Sequence, residues 1–398
     1  HNTILTFFKL KSSIGLVGND RTGSVGRFIY QQNYVSGGNY LFGENLDQSP
    51  GLYKEGILAN PFVTWEKALK YDVGTEMTLF NRLSLSAEYF FEKRNDIYVQ
   101  PNNYISALLG ADINNMNEGK TQNQGIEIEA FWNDRVGDFS YYLGGRFSYA
   151  KNKIVYRSEA PAYAYQAQTG QRIGTKLGLH CIGFYQQADF DQNGKLKQGI
   201  PAPTWASNLQ PGDLRYADLS GDGLINEADQ TYISKPDIPT CSYGITLGGN
   251  WRGFSFNMLW QGAFDYAIPN MGGNLVPFAN NMQELMLDRW TPQNTDASFP
   301  RLGITTWENN NYSTHLSDFW YLNASYIRLR SAELAYQVPQ AWLQKVTKNT
   351  VKAVRLYVTG YNLLNFSNLN KLSMDPENVN SSAYPTQTSY MFGLQCAF

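Results

Sequence analysis

Charge is scarce in this chain. Asp, Glu, Lys and Arg make up 17% of its 398 residues, against roughly 25% in soluble domains. The two signs nearly cancel, leaving a net charge of −2, so there is no electrostatic footprint for nucleic acid. Long apolar runs are missing too: none approaches the ~18 consecutive residues that a transmembrane helix needs. Histidine occurs only as His1, His180 and His315, and no G-x-S-x-G elbow is present, so no nucleophile–base arrangement is legible from spacing. Carboxylates are plentiful, but no pair stands out as acid and base. The three cysteines, Cys181, Cys241 and Cys396, form no C-x-x-C pair and no zinc pattern. Cys181 and Cys241 flank one long polar segment, which leaves two readings: a bridge in an oxidising compartment, or inert thiols. The opening His1-Asn2-Thr3-Ile4 carries no signal peptide.

What is abundant is aromatic and glycine. There are 27 Tyr, 22 Phe, 9 Trp and 35 Gly, yet mean hydropathy is −0.41. Such a composition suits a transmembrane barrel whose strands alternate lipid-facing and lumen-facing residues; it equally suits a secreted β-sandwich array or propeller. Alternating segments recur. Leu83, Leu85, Ala87, Tyr89 and Phe91 alternate with Ser84, Ser86, Glu88, Phe90 and Glu92. Phe254, Phe256, Met258 and Trp260 stand opposite Ser255, Asn257 and Gln261. The last ten residues put Tyr390, Phe392, Leu394, Cys396 and Phe398 on one face, and end on an aromatic. Counting back from Phe398 predicts roughly ten strands, at about 5–17, 67–80, 82–93, 124–134, 138–151, 242–250, 254–265, 325–337, 353–365 and 387–398.

The connections between them discriminate the two readings. Short turns such as Phe80-Asn81-Arg82 and Trp251-Arg252-Gly253 alternate strictly with long polar segments at about 18–66, 94–123, 152–241, 263–324 and 366–387. Long external loops and short periplasmic turns are the habit of outer-membrane barrels. The predicted fold is therefore all-β: an antiparallel transmembrane β-barrel, with these strands as part of a larger one. An open sheet of ten leaves two unpaired edges in lipid, so remaining barrel strands are expected from a longer chain or a second chain.

One loop has the spacing of a calcium site. In Asp218-Leu219-Ser220-Gly221-Asp222-Gly223-Leu224-Ile225-Asn226-Glu227-Ala228-Asp229, oxygen donors stand at positions 1, 3, 5, 9 and 12 of an EF-hand loop, with glycine at 6. Ca2+ needs hard oxygens around one point, which Asp218, Ser220, Asp222, Asn226, Asp229 and the Leu224 carbonyl would supply as a structural site. The competing reading is an Asp/Gly-rich turn held by its own hydrogen bonds. Asp189-Phe190-Asp191-Gln192-Asn193-Gly194 begins similarly, but Lys197 and Ile200 break its ligand set.

Several stretches, in order from about residue 60 to the end, resemble a known family. Pro211-Gly212-Asp213-Leu214-Arg215-Tyr216-Ala217-Asp218, continuing to Gly223, is similar to a "PGD-x-x-Y-x-D-x-N-GDG" loop. Ser325-Tyr326-Ile327-Arg328-Leu329-Arg330 is similar to "SY-x-RL". Gly360-Tyr361-Asn362-Leu363 followed by Asp375-Pro376-Glu377 is similar to "G-x-NL … DPE". Asn60-Pro61, Thr64-Trp65-Glu66-Lys67 and Asn123-Gln124-Gly125 also fit. Together they resemble the C-terminal barrel portion of SusC/RagA-type TonB-dependent outer-membrane transporters.

The resemblance implies a barrel of about 22 strands in the outer membrane of a Gram-negative, Bacteroidetes-type cell. It implies a plug domain, outside this chain, through which TonB acts, and a SusD-like surface lipoprotein as lid. The ligand would be an oligosaccharide or peptide, and no bond would be made or broken. Trp205, Trp307, Asn309, Asn310, Asn311, Tyr312, Trp320 and Tyr321 have the chemistry to stack on and hydrogen-bond such a ligand; packing of loops is the plainer role for each. Tyr390, Phe392 and Phe398 are expected to signal barrel assembly. A passive porin or surface adhesin is the alternative, and an outer-membrane barrel hydrolase a more distant one.

Overall fold

The computed structural model describes residues 4–21, 28–101, 110–206, 208–270, 284–303, 315–348, 350–378, 384 and 386–398. Ten strands form one antiparallel sheet in chain order: β1 (Leu5–Asn19), β2 (Glu66–Leu79), β3 (Leu83–Val99), β4 (Met116–Val136), β5 (Phe139–Tyr156), β6 (Cys241–Trp251), β7 (Phe254–Phe264), β8 (Tyr326–Gln337), β9 (Ala353–Ser367) and β10 (Ser389–Ala397). Each predicted strand has its counterpart. The short turns leave β2 and β3, β4 and β5, and β6 and β7 no choice but to pair, and consecutive strands remain neighbours across the longer connections as well. The β6–β7 hairpin turns on Arg252 (φ 46°) and Gly253 (φ 92°), the double positive φ that suits the twist of a two-residue hairpin.

Register carries one apolar face across the sheet. Phe392 pairs with Val358, Val358 with Leu334, and Leu334 with Phe256. Further along, Ile245, Gly145, Ala130, Leu85, Met77 and Phe8 follow one another across β6 to β1. This face stays open: Leu10 and Ile14 are each 68% exposed and Phe392 81%. A water-facing surface of that kind is untenable, whereas a lipid-facing one is required. The opposite face is polar and internally paired. Lys11 meets Glu88 at 2.6 Å and Glu76 at 3.6 Å, Lys70 meets Glu92 at 3.3 Å, and Arg146 meets Glu129 at 3.3 Å. Among the described residues no helix is long and apolar enough to cross a membrane; crossing by strands is a separate matter.

The strands differ from expectation in length. β3, β4 and β5 run for 17, 21 and 18 residues, where about 9–11 cross a bilayer. Alternation falters at Arg94, Asn95 and Asp96, the last with φ 57°, and the register shifts there. Pairing then resumes, Ile97 with Gly119, Tyr98 with Asn117 and Val99 with Met116. Beyond lipid the period-two signal fades, because both faces are wet, while the backbone ladder continues.

The long connections are also structured. Within 152–241, Leu177–Gly178 pairs with Thr231–Tyr232, Cys181–Phe184 with Leu214–Tyr216, and Ala202–Pro203 with Leu224–Ile225. Leu179, Leu214, Tyr216, Ile225 and Trp320 form a buried core there. A second core joins Ala263, Tyr266, Ile268, Ala324, Tyr326 and Leu369. The bridge between Cys181 and Cys241 is not formed: both are free thiols. Each is fixed on a different element, Cys181 opposite Tyr216 in the loop and Cys241 between Tyr149 and Phe264 in the sheet. One helix, α1 (Gln340–Thr347), lies in the β8–β9 connection, a stretch the sequence presents only as a somewhat longer turn.

Candidate functional site

The loops at the end opposite the short turns are tied down by charged side chains from the recurring motifs. On β8, Arg328 is 3% exposed and donates to Asp375 at 2.8 Å and to Glu377. Arg330 donates to Glu377, to Gln261 at 3.1 Å and to Asn362 at 3.0 Å. Tyr326 donates to Glu377 at 2.8 Å, and Tyr266 to the Pro376 carbonyl at 2.7 Å. The strand motif and the Asp-Pro-Glu motif are thus two halves of one latch. Burial alone would raise the Asp375 pKa, but the Thr386 side chain, the N–H of Glu377, the Arg328 guanidinium and the Thr386 N–H outweigh it and hold the carboxyl down at about 2. Asn362 has φ 52°, a conformation Asn tolerates better than most residues. Its side chain also donates to the Gln387 carbonyl at 2.9 Å, which closes the far end of the same loop.

Pro211-Gly212-Asp213 makes a second anchor. Asp213 is 1% exposed and faces Arg301, whose Nε donates to it at 2.6 Å. Gly212 has φ 90°, and a Cβ there would stand 2.5 Å from the Trp290 ring, so both its conformation and its neighbour demand glycine. Arg301 escapes sequence reasoning: it lies 88 residues from Asp213 in no motif. The same holds for Arg172 and Lys235, which meet Asp265 at 2.9 and 3.0 Å.

The Asp218–Asp229 segment is a turn closed by its own carboxylates. Asp218 accepts from the N–H groups of Gly221 at 2.7 Å and Gly223 at 2.9 Å. These bonds, with one from Ser220, overcome the opposing effect of desolvation and lower its pKa. Asp229 is fully buried and accepts from Leu219, Ser220 and Asn226, each at 2.9 Å. Asn226 caps the following 3-10 turn by accepting from Ala228 at 2.7 Å. Asp222 accepts from Leu224 N–H at 2.8 Å. Among the described residues no three His, Cys, Asp or Glu side chains converge as a metal cluster.

Of the aromatic candidates, Trp205 is half-buried and stacks on His315, ring centroids 3.8 Å apart and 14° from parallel. Trp320 is 3% exposed within the loop core, with Phe319 edge-on at 4.8 Å; it packs the loop and presents no open ring to a ligand. Trp307, Asn309, Asn310, Asn311 and Tyr312 lie outside the described residues. On β10, Tyr390 and Phe392 are 67% and 81% exposed, in line with the apolar outer face, and Phe398, one residue past the strand, is 75% exposed.

Relatives of this chain combine the same features. It is 26% identical over 374 residues to TonB-dependent receptor P3 of Formosa agariphila, covering 85% of this chain and 35% of that protein. It is 23% identical over 420 residues to TonB-dependent receptor SusC of Bacteroides thetaiotaomicron, covering 99% of this chain and 38% of SusC. The chain is thus similar in sequence to proteins named TonB-dependent receptors, SusC among them. The RagAB peptide importer in its open-open state superposes over the whole chain with a TM-score of 0.70 at 18% identity, using 41% of its own length; the two share this fold. No family model matches the chain. The chain spans little more than a third of the length of the curated relatives it matches. Those relatives are named as receptors, and RagAB as a transporter; the hydrolase reading has no counterpart among them.

Proposed function

We propose that this chain is the C-terminal barrel wall, with its external loops, of a TonB-dependent outer-membrane importer for oligosaccharides or peptides. The observation that carries this is the ten-strand sheet with a lipid-type outer face and a polar, ion-paired inner face, in a homologue of SusC along nearly its whole length. In this reading TonB acts through a plug domain beyond this chain, and remaining strands close the barrel. A SusD-like lipoprotein covers loops that the Arg328 and Asp213 anchors hold in place, and Trp205 is the described aromatic nearest to a stacking role. Uptake of labelled oligosaccharides and peptides by cells carrying the full-length protein tests this. Uptake should stop when TonB is deleted or the proton-motive force is dissipated. Transport that continues under both conditions would instead mark a passive porin.

Calcium on the Asp218–Asp229 turn is a separate proposal, supported by spacing. Asp218, Ser220, Asp222, the Leu224 carbonyl, Asn226 and Asp229 are its donors, and oxygens that hold N–H groups retain second lone pairs. Purified protein should carry calcium, and the Asp218→Ala/Asp222→Ala double variant should lose it. Equal metal content in the two proteins would remove the proposal.

A further inference from the structure

The β8–β9 connection is longer than its position requires. It runs from Val338 to Lys352, whereas β4–β5 and β6–β7 at the same end are joined by Gly137-Asp138 and Arg252-Gly253. Its helix α1 is fastened at both ends: Val338 N–H donates to Val354 O at 2.9 Å, and Lys352 N–H to Ala397 O at 2.7 Å. At 100° per residue, Trp342, Val346 and Leu343 occupy one continuous arc of about 100°, with Gln344 and Lys345 on the other side and Lys348 at the C-cap. Protein covers only the Leu343 end of that arc. Leu343 is 4% exposed, while Trp342 and Val346 are each 59% exposed.

The surroundings say what covers the rest. The strands that α1 joins carry the outward apolar belt, with Leu334 59% and Leu356 47% exposed. Trp251 and Phe254, 51% and 48% exposed, stand at the same end on the next hairpin. The apolar arc of α1 therefore continues a surface that faces lipid. Lys345 and Lys348 have no ion-pair partner among the described residues, whereas Lys352 Nζ is committed to the Phe398 carbonyl oxygen at 3.0 Å. Two free ammonium groups beside an exposed Trp are the pattern of a helix lying in a headgroup layer.

We propose that α1 is an interfacial anchor on the phospholipid leaflet at the short-turn end, with Trp342 and Val346 at the acyl boundary and Lys345 and Lys348 at anionic headgroup phosphates. This rests on the outer-membrane barrel reading, so the test separates the two. Full-length protein with Cys181, Cys241 and Cys396 replaced is reconstituted in phosphatidylethanolamine/phosphatidylglycerol vesicles. Single nitroxide labels are placed by Trp342→Cys, Val346→Cys, Gln344→Cys and Leu334→Cys. Collisions with oxygen should dominate at 342, 346 and 334, and collisions with a water-soluble nickel chelate at 344. A lipid-type signal at 334 with a water-type or fully shielded signal at 342 and 346 would overturn the anchor and leave the barrel standing. A water-type signal at 334 would overturn the barrel reading itself. Should the cysteine-free background fail to fold, brominated phospholipid decides the same question in protein with native cysteines. It should quench more tryptophan fluorescence in wild type than in Trp342→Phe, and equal quenching rejects the anchor.

Discussion

Replacing Arg328 with alanine should free the connection that follows β9 from the sheet. The guanidinium is 3% exposed and serves Asp375 and Glu377 together. Its loss leaves Asp375, whose side chain is only 6% exposed, charged and without its cation, a change that typically costs about 3–5 kcal/mol. Amide exchange over 368–378 should rise sharply, with proteolytic cutting in the same segment. Arg328→Lys should rescue only part of this, because a point-like ammonium cannot fork between two carboxylates. Arg330 still holds Glu377, so the sheet itself should remain folded. The pH dependence has a definite sign. Asp375 has a folded-state pKa of about 2, depressed from its ordinary value of 3.8. Its contribution is complete above that ordinary value and fades as pH falls toward 2. Protection should stay level from pH 8 to about 5 and decline only below about 4. Unchanged exchange in Arg328→Ala would mean that the latch is ornamental.

Deleting Phe398 together with Phe392→Ala should reduce the amount of folded barrel in the outer membrane by at least about tenfold. Phe392 belongs to the exposed apolar face of the sheet, and Phe398, one residue past the end of β10, is 75% exposed; each gives up about 1.5–3 kcal/mol of apolar burial when removed. Tyr390 stands on the same face, paired with Gly360, so Tyr390→Ala should aggravate the defect. Met391 lies on the opposite face, paired with Thr359, and Met391→Ala is the control. The heat-modifiable shift of the full-length protein on gels gives the readout. Equal loss in both variants would deny β10 any face-specific role.

Much of this architecture is legible in the sequence because lipid imposes a strict rule. A strand between hydrocarbon and lumen must alternate, so β6, β7 and β8 can be bounded to within a residue or two by reading every second position. Where water bathes both faces the rule lapses. The outer part of β4, from Met116 to Asn123, reads as loop and is strand. The motifs mark the latch residues but not their partnership: nothing local tells that Arg328 reaches Asp375 across 47 residues. Trp320 illustrates the converse. An aromatic in a long polar loop invites a ligand role, yet the loop carries its own core and needs the ring there. α1 has no strand alternation to betray it, and its two turns are too short for a periodic signal.

The length of β4 bears on how a solute would first meet the protein. Twenty-one residues at about 3.3 Å each and a tilt near 45° give a rise of roughly 50 Å, about twice the apolar band of an outer-membrane barrel. About half of this strand, flanked by the long β3 and β5, therefore stands clear of the lipid. It is built from hydrogen-bonded sheet, so its shape is set before any solute arrives. A solute descending past the β3–β5 side would meet a rigid surface some tens of ångströms above the hydrocarbon, and would shed diffusional freedom well before it reached membrane depth.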